Sequence, residues 1–163
     1  MNARNYWIGV VSRAHAHAAI AAGFVEVNRG KAGPLERMRD GDGYAIYSPR
    51  TDDQDGDRLQ AFTAIGRVTD AAIVQARPSD GPARFRRGVH YLSADEAPVK
   101  PLIESLSFIR SKIHWGAPFR YGFIKNPEFD FAQIAAAMGR NFDDDFPHVA
   151  SASPALESEP VPA

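Results

Sequence analysis

The 163-residue chain contains no cysteine. That absence excludes disulfides, thiolate nucleophiles and Cys-ligated zinc or iron–sulfur centres, and it suits a reducing cytosol, so a cytoplasmic location is the expectation. A chain of this length buries a core as one ordinary domain without staples. Long apolar runs are also missing. Arg4, Arg13, His15 and His17 interrupt residues 1–25, so neither a signal peptide nor a membrane span is read there. Motifs of acyl and phosphoryl transfer are lacking too: there is no G-x-S-x-G elbow and no G-x-x-x-x-G-K-[ST] loop. His15 and His17 do not make up for this as metal ligands. Two positions along a helix are about 200° apart around its axis, so the imidazoles diverge.

Basic residues run out toward the C-terminus. From Asn141 onward there is no Lys or Arg, whereas Asp143, Asp144, Asp145, Glu157 and Glu159 are acidic. The totals of 19 basic and 20 acidic residues therefore place 19 bases against 15 acids on residues 1–140. A mildly basic body suits a polyanionic partner, and an ordinary solvated surface accounts for it equally well. The end of the chain is rich in Ser, Pro and Ala without apolar periodicity. A domain over 1–147 and a disordered acidic tail over 148–163 are expected.

What is present reads as short strands with helices between them. "NYWIGVVS" alternates as a strand, and "SRAHAHAAIAAG" as a helix capped by Ser12 and stopped by Gly23. "FVEVN" is a second strand, 24–28, and "PLERM" a helical turn opened by Pro34. A strand over 44–48 should end at Pro49, and the apolar run from Arg58 should form a long strand bent or bulged at Gly66. "ARFRRGVHYL" predicts a further strand, "PVKPLIESLSFI" a short helix from about Pro101, and "RYGFIKN" a closing strand. In "NPEFDFAQIAAAMG", Asn126 is the expected cap and Pro127 the first helical residue, with Phe131, Ile134, Ala135 and Met138 on the buried face. This order is not a tandem βαβ series. It predicts a small twisted barrel with helices outside.

Four stretches could carry binding. Trp7 and Gly9 share a strand face, so the missing Cβ beside the indole is either a packing accommodation or one wall of a slot for a flat ligand. "NRGK", with Arg29, Gly30 and Lys31, groups cations and backbone donors that could hold a phosphate or simply form a solvated loop. "HWGAPFRYG" sets Trp115 beside Gly116 and near Arg120, where the indole either closes a core or lines a surface. Arg84, Arg86, Arg87 and His90 alternate along a strand that could touch phosphates or be an edge guarded by charge.

Taken in order, "YWIGVVS", "GF", "GK", "PLERMRDGDGYAIYSP", "LQAFTAIGRV", "HWGAPFRYGFI" and "FDFAQIAAAM" resemble the compact bacterial branch of the EVE-domain family, whose members are related to YTH and ASCH domains in the PUA-like superfamily. The resemblance covers about residues 4–140. It implies an α+β fold, a PUA-like small mixed β-barrel with helices packed around it. It also implies a reader rather than an enzyme: one methylated or hydroxymethylated base of DNA or RNA is flipped into an aromatic pocket, with no cofactor and no metal. Carried onto this chain, Trp7, Tyr47 and Trp115 would be walls, Ser12, Asn28 and Ser48 would meet the base edge, and Arg29, Gly30, Lys31 and Arg120 would hold phosphates. Two alternatives stay open. The same pocket could serve a small-molecule nucleoside- or nucleotide-binding protein or hydrolase, or both tryptophans could be plain core in an interaction protein.

Overall fold

A computed structural model describes residues 4–26, 32–53, 55–69, 73–76 and 84–147. Alternation of apolar side chains produces strands β1 (Tyr6–Val10), β2 (Phe24–Val25), β3 (Gly43–Arg50), β4 (Arg58–Val68), β5 (Val74–Ala76), β6 (Arg84–Tyr91), β7 (Ala97–Pro98) and β8 (Phe123–Asn126). The helices are α1 (Arg13–Ala22), α2 (Ala32–Glu36), α3 (Glu128–Ala137) and α4 (Phe142–Asp145). The sheet runs β2-β6-β4-β3-β1-β8, with β5 added beside β6 and β7 beside β4. β1 is parallel to β3, and the other pairings are antiparallel. The result is an α+β fold, a mixed sheet curled into a half-barrel with a few helices. Among the described residues no pairing joins β2 to β8, and no helix is long and apolar enough to cross a membrane.

Both faces of the sheet are buried, which is why β1 and β3 read as nearly continuous apolar runs. Tyr6, Ile8, Ala45, Tyr47, Phe62 and Ile65 pack with Phe131, Ile134, Ala135 and Met138 of α3 on one face. Trp7, Tyr44, Ile46, Ala64 and Val68 pack with Ala16, Leu35 and Met38 on the other. Phe62 and Ala64 are two residues apart yet belong to opposite faces. The pairing explains this: Ile46 faces Ala64 while Tyr47 faces Phe62, so Thr63 is an extra residue that inverts the alternation.

Several local expectations change in detail. β4 is not bulged at Gly66; its irregularities lie at Thr63 and near Gln60, which takes a left-handed φ of 56°. Gly66 instead permits close approach, since a Cβ there would sit 2.4 Å from the His90 carbonyl oxygen of β6. Pro49 lies within β3 at the second register shift, where its missing N–H is tolerated. Pro34 does not open α2 but is its third residue, within the first turn, a position that leaves no orphan carbonyl. Pro127, not Asn126, occupies the cap position of α3, because Asn126 is the last residue of β8 and donates its amide to the Tyr6 carbonyl. The helix expected at Pro101 is a single 3-10 turn, Lys100–Leu102. β2 ends at Val25, and residues 27–28 of the expected strand lie outside the described residues, as does the 148–163 tail.

Candidate ligand pocket

α1, β2, β3 and β6 meet around a cavity of about 120 Å³ lined in part by Val11, His15, Ala19, Phe24, Glu26, Tyr44, Ile46, Arg86 and Tyr91. Local sequence sets its frame. The Ser12 hydroxyl accepts from the His15 amide and starts α1 at the pocket's edge. Gly23, at φ 77°, ends the helix in the left-handed conformation and turns the chain directly into β2. The Val89 amide then donates to the Gly23 carbonyl, and β2 pairs Phe24 with Gly88 and Val25 with Arg87. The Tyr91 hydroxyl donates to the Phe24 carbonyl at 2.8 Å, tying the two walls together.

Charge sits at one side of this space. The Arg86 guanidinium is ion-paired with the partly buried Glu26 carboxylate and lies over the Phe24 ring, 4.1 Å from its centroid. Deeper in, Tyr44 is fully buried and its hydroxyl has no hydrogen-bond partner. Burial raises the Tyr44 and Tyr91 phenols far above the usual tyrosine range, which keeps both protonated well into alkaline conditions. The pocket thus combines three aromatic side chains, a cation and a carboxylate, with the unpartnered Tyr44 hydroxyl buried in a lining residue, a set that suits a flat polar ring.

The sequence-predicted walls do not surround one space. Trp7 is 2% exposed; Phe123, paired opposite Gly9, stacks on the indole at 5.0 Å and 7°, and Arg37 lies over the ring at 5.1 Å. Phe123, the register partner of Gly9, thus lies against the indole, and Trp7 is packed within the core cluster of that sheet face. Tyr47 and Trp115 belong to the opposite sheet face: Tyr47 is buried and stacked on Phe119 at 3.9 Å, and Trp115 packs half-buried against the same core. Ser48 is buried and shares a 2.7 Å hydrogen bond with Thr63. Ser12 is committed to capping α1. Arg120 is exposed, on the 3-10 helix Ala117–Tyr121. Asn28, Arg29, Gly30 and Lys31 lie outside the described residues, and in the chain they follow closely on Glu26 of the pocket.

Sequence reasoning missed Phe24, Tyr44, Tyr91, Glu26 and His15 as pocket residues; Arg86 was named only within a basic strand. The available signal was parity along "GYAIYS". Tyr44 and Tyr47 are three apart on a strand and must face opposite sides, so only one of them can share a pocket with Ile46.

Comparison with known proteins now has a fold and a site to rest on. The EVE domain profile matches residues 5–137. The UPF0310 protein msl3206 of Mesorhizobium japonicum is 44% identical over 136 residues, covering 82% of this chain and 91% of its own. A UPF0310 protein of Mycobacterium avium is 41% identical over 132 residues, covering 81% and 96%. The crystal structure of protein Atu2648 from Agrobacterium tumefaciens superposes with a TM-score of 0.52 at 15% identity, covering 83% of this chain and 94% of that one, which speaks to the fold alone. With a profile matched along most of its length and relatives sharing two residues in five, the chain belongs to the EVE domain family.

Proposed function

We propose that this protein is a PUA-like nucleic-acid-binding module that receives one unstacked base, preferably methylated or hydroxymethylated, in the pocket between α1, β2, β3 and β6. The reading assigns binding and no reaction. One observation carries it: an aromatic cavity of one-ring size with an unpartnered hydroxyl buried in its wall. Apolar cavities of about 150 Å³ hold a benzene ring, so a space of about 120 Å³ that opens to solvent has the scale of a base inserted edge first. Every base offers a π-face to aromatic walls and a polar edge to groups such as Tyr44 and Glu26. Arg86 and the cations Arg29 and Lys31, close by in the chain, supply charge for the adjoining phosphates.

The test is a fluorescence-anisotropy titration at low salt with oligonucleotides identical except for one cytosine or adenine, plain, methylated or hydroxymethylated, in DNA and in RNA. Free nucleosides are titrated in parallel by calorimetry. One modified base should be preferred, and Tyr44→Phe should weaken its binding by about three- to tenfold, the value of one hydrogen bond. The same variant should melt no lower than the wild type, because it removes a buried hydroxyl that has no partner. Failure of the folded protein to bind any oligonucleotide or nucleoside overturns the reading. Binding of nucleosides with no response to oligonucleotides replaces it with a small-molecule site.

A further inference from the structure

The sheet face opposite the pocket carries a second feature that the pocket does not use. Between Glu104 and Glu128 the sequence has Arg110, Lys112, Arg120 and Lys125 and no acid. Within that stretch Ile113 is 86% and Tyr121 79% exposed, the two most exposed large apolar side chains among the described residues. Their backbone is not loosely held. Ile109 and Phe119 are buried, Phe108 packs edge-on to Phe119, and Trp115 packs against the same core. The Lys112 ammonium is spent internally, donating to the Ile103 and Ile109 carbonyls at 2.8 Å each. A segment anchored from below and apolar above, flanked by the exposed Arg110 and Arg120, is built for a partner that is both anionic and stackable.

The end of that segment is tied to the strand that leads into the pocket. The Val10 amide donates to the Gly122 carbonyl at 3.0 Å, and the next residue, Val11, lines the cavity. Drawing a base out of a strand unstacks its neighbours, and apolar or aromatic side chains commonly take the vacated contacts. Resting on the pocket reading above, we infer that residues 110–122 are a second contact for the same strand. Tyr121 stacks on a base neighbouring the one in the pocket, Ile113 packs against the exposed stack, and Arg110 and Arg120 meet the phosphates.

The full chain is titrated with fluorescein-labelled strands of about 12 nucleotides, enough to span both contacts, and separately with free nucleosides. Ile113→Ser with Tyr121→Ser should weaken strand binding at least about fivefold and leave nucleoside binding unchanged, and Tyr121→Trp should retain strand affinity. Arg110→Gln with Arg120→Gln should flatten the salt dependence. Both side chains replaced by serine are exposed, and matching melting curves verify the fold. Strand affinity within about twofold of wild type, with an unchanged salt slope, overturns the inference and leaves the pocket reading standing. Strand binding that depends on Tyr121 but is indifferent to Tyr44→Phe overturns the pocket reading and, with it, the role of residues 110–122 as a second contact beside the pocket. A wild-type protein that ignores all strands overturns the inference whatever the nucleosides do.

Discussion

Asp42 shows how much one side chain can hold. Its carboxylate accepts from the Asn5 amide at 3.1 Å, the Trp7 indole N–H at 2.9 Å and the Arg39 amide at 2.9 Å. Removing it leaves three donors without an acceptor at a site where Asp42 itself is 3% exposed. Asp42→Ala should therefore cost about 2–4 kcal/mol, read from urea unfolding, while Asp40→Ala on the exposed turn beside it should cost less than about 0.5 kcal/mol. Equal effects would mean that water satisfies the orphaned donors. The same residue shows why Trp7 was ambiguous in sequence. An indole needs a partner for its N–H and a neighbour for its ring, and Asp42 and Phe123, which supply these, lie 35 and 116 positions away.

At the scale of elements, pairing contacts decide more than propensity. α1 was legible because its signals are local: a serine at the cap, alanines along the helix, and a glycine with freedom for positive φ. No bulge forms at Gly66, and the reason for that glycine lies on another strand. Paired with Tyr91 and pressed against the His90 carbonyl, it fixes how closely β6 approaches β4, and Tyr91 is a pocket wall. Gly66→Ala should cost about 1–3 kcal/mol in thermal unfolding and should weaken ligand binding more than an equally destabilising change on the α3 face, such as Ile134→Val. Equal effects on binding would separate the pocket from the β4–β6 spacing.

For the whole molecule, the unusual quantity is the number of tyrosines in the interior. Tyr6 is pushed up to about 12, chiefly by burial, with the Glu128 carboxylate that accepts its hydroxyl adding to the rise against the opposing Arg4. Burial raises Tyr44, Tyr47 and Tyr91 as well. A phenol whose native pKa exceeds its unfolded value of about 10 keeps its proton better when folded. Its contribution is complete below about pH 10 and is lost as pH rises through the native value, so alkali should unfold this protein. In a Tyr121→Phe variant, which lacks the exposed tyrosine, stability followed from about pH 9 to about pH 12 should fall steadily, with phenolate absorbance appearing together with loss of structure; phenolate forming earlier in that folded variant would contradict the burial. The sequence by itself determined the family resemblance, the mixed α+β order, the caps of α1 and the buried face of α3, because each rests on residues within a few positions of one another. Only the tertiary structure decided which tyrosine of "YAIY" faces the pocket, what fills the space beside Trp7, and that Trp115 and Tyr47 lie across the sheet from Tyr44. With both faces of the sheet buried, the alternation of side chains carries no label for inside and outside, and partners far apart in the chain supply it.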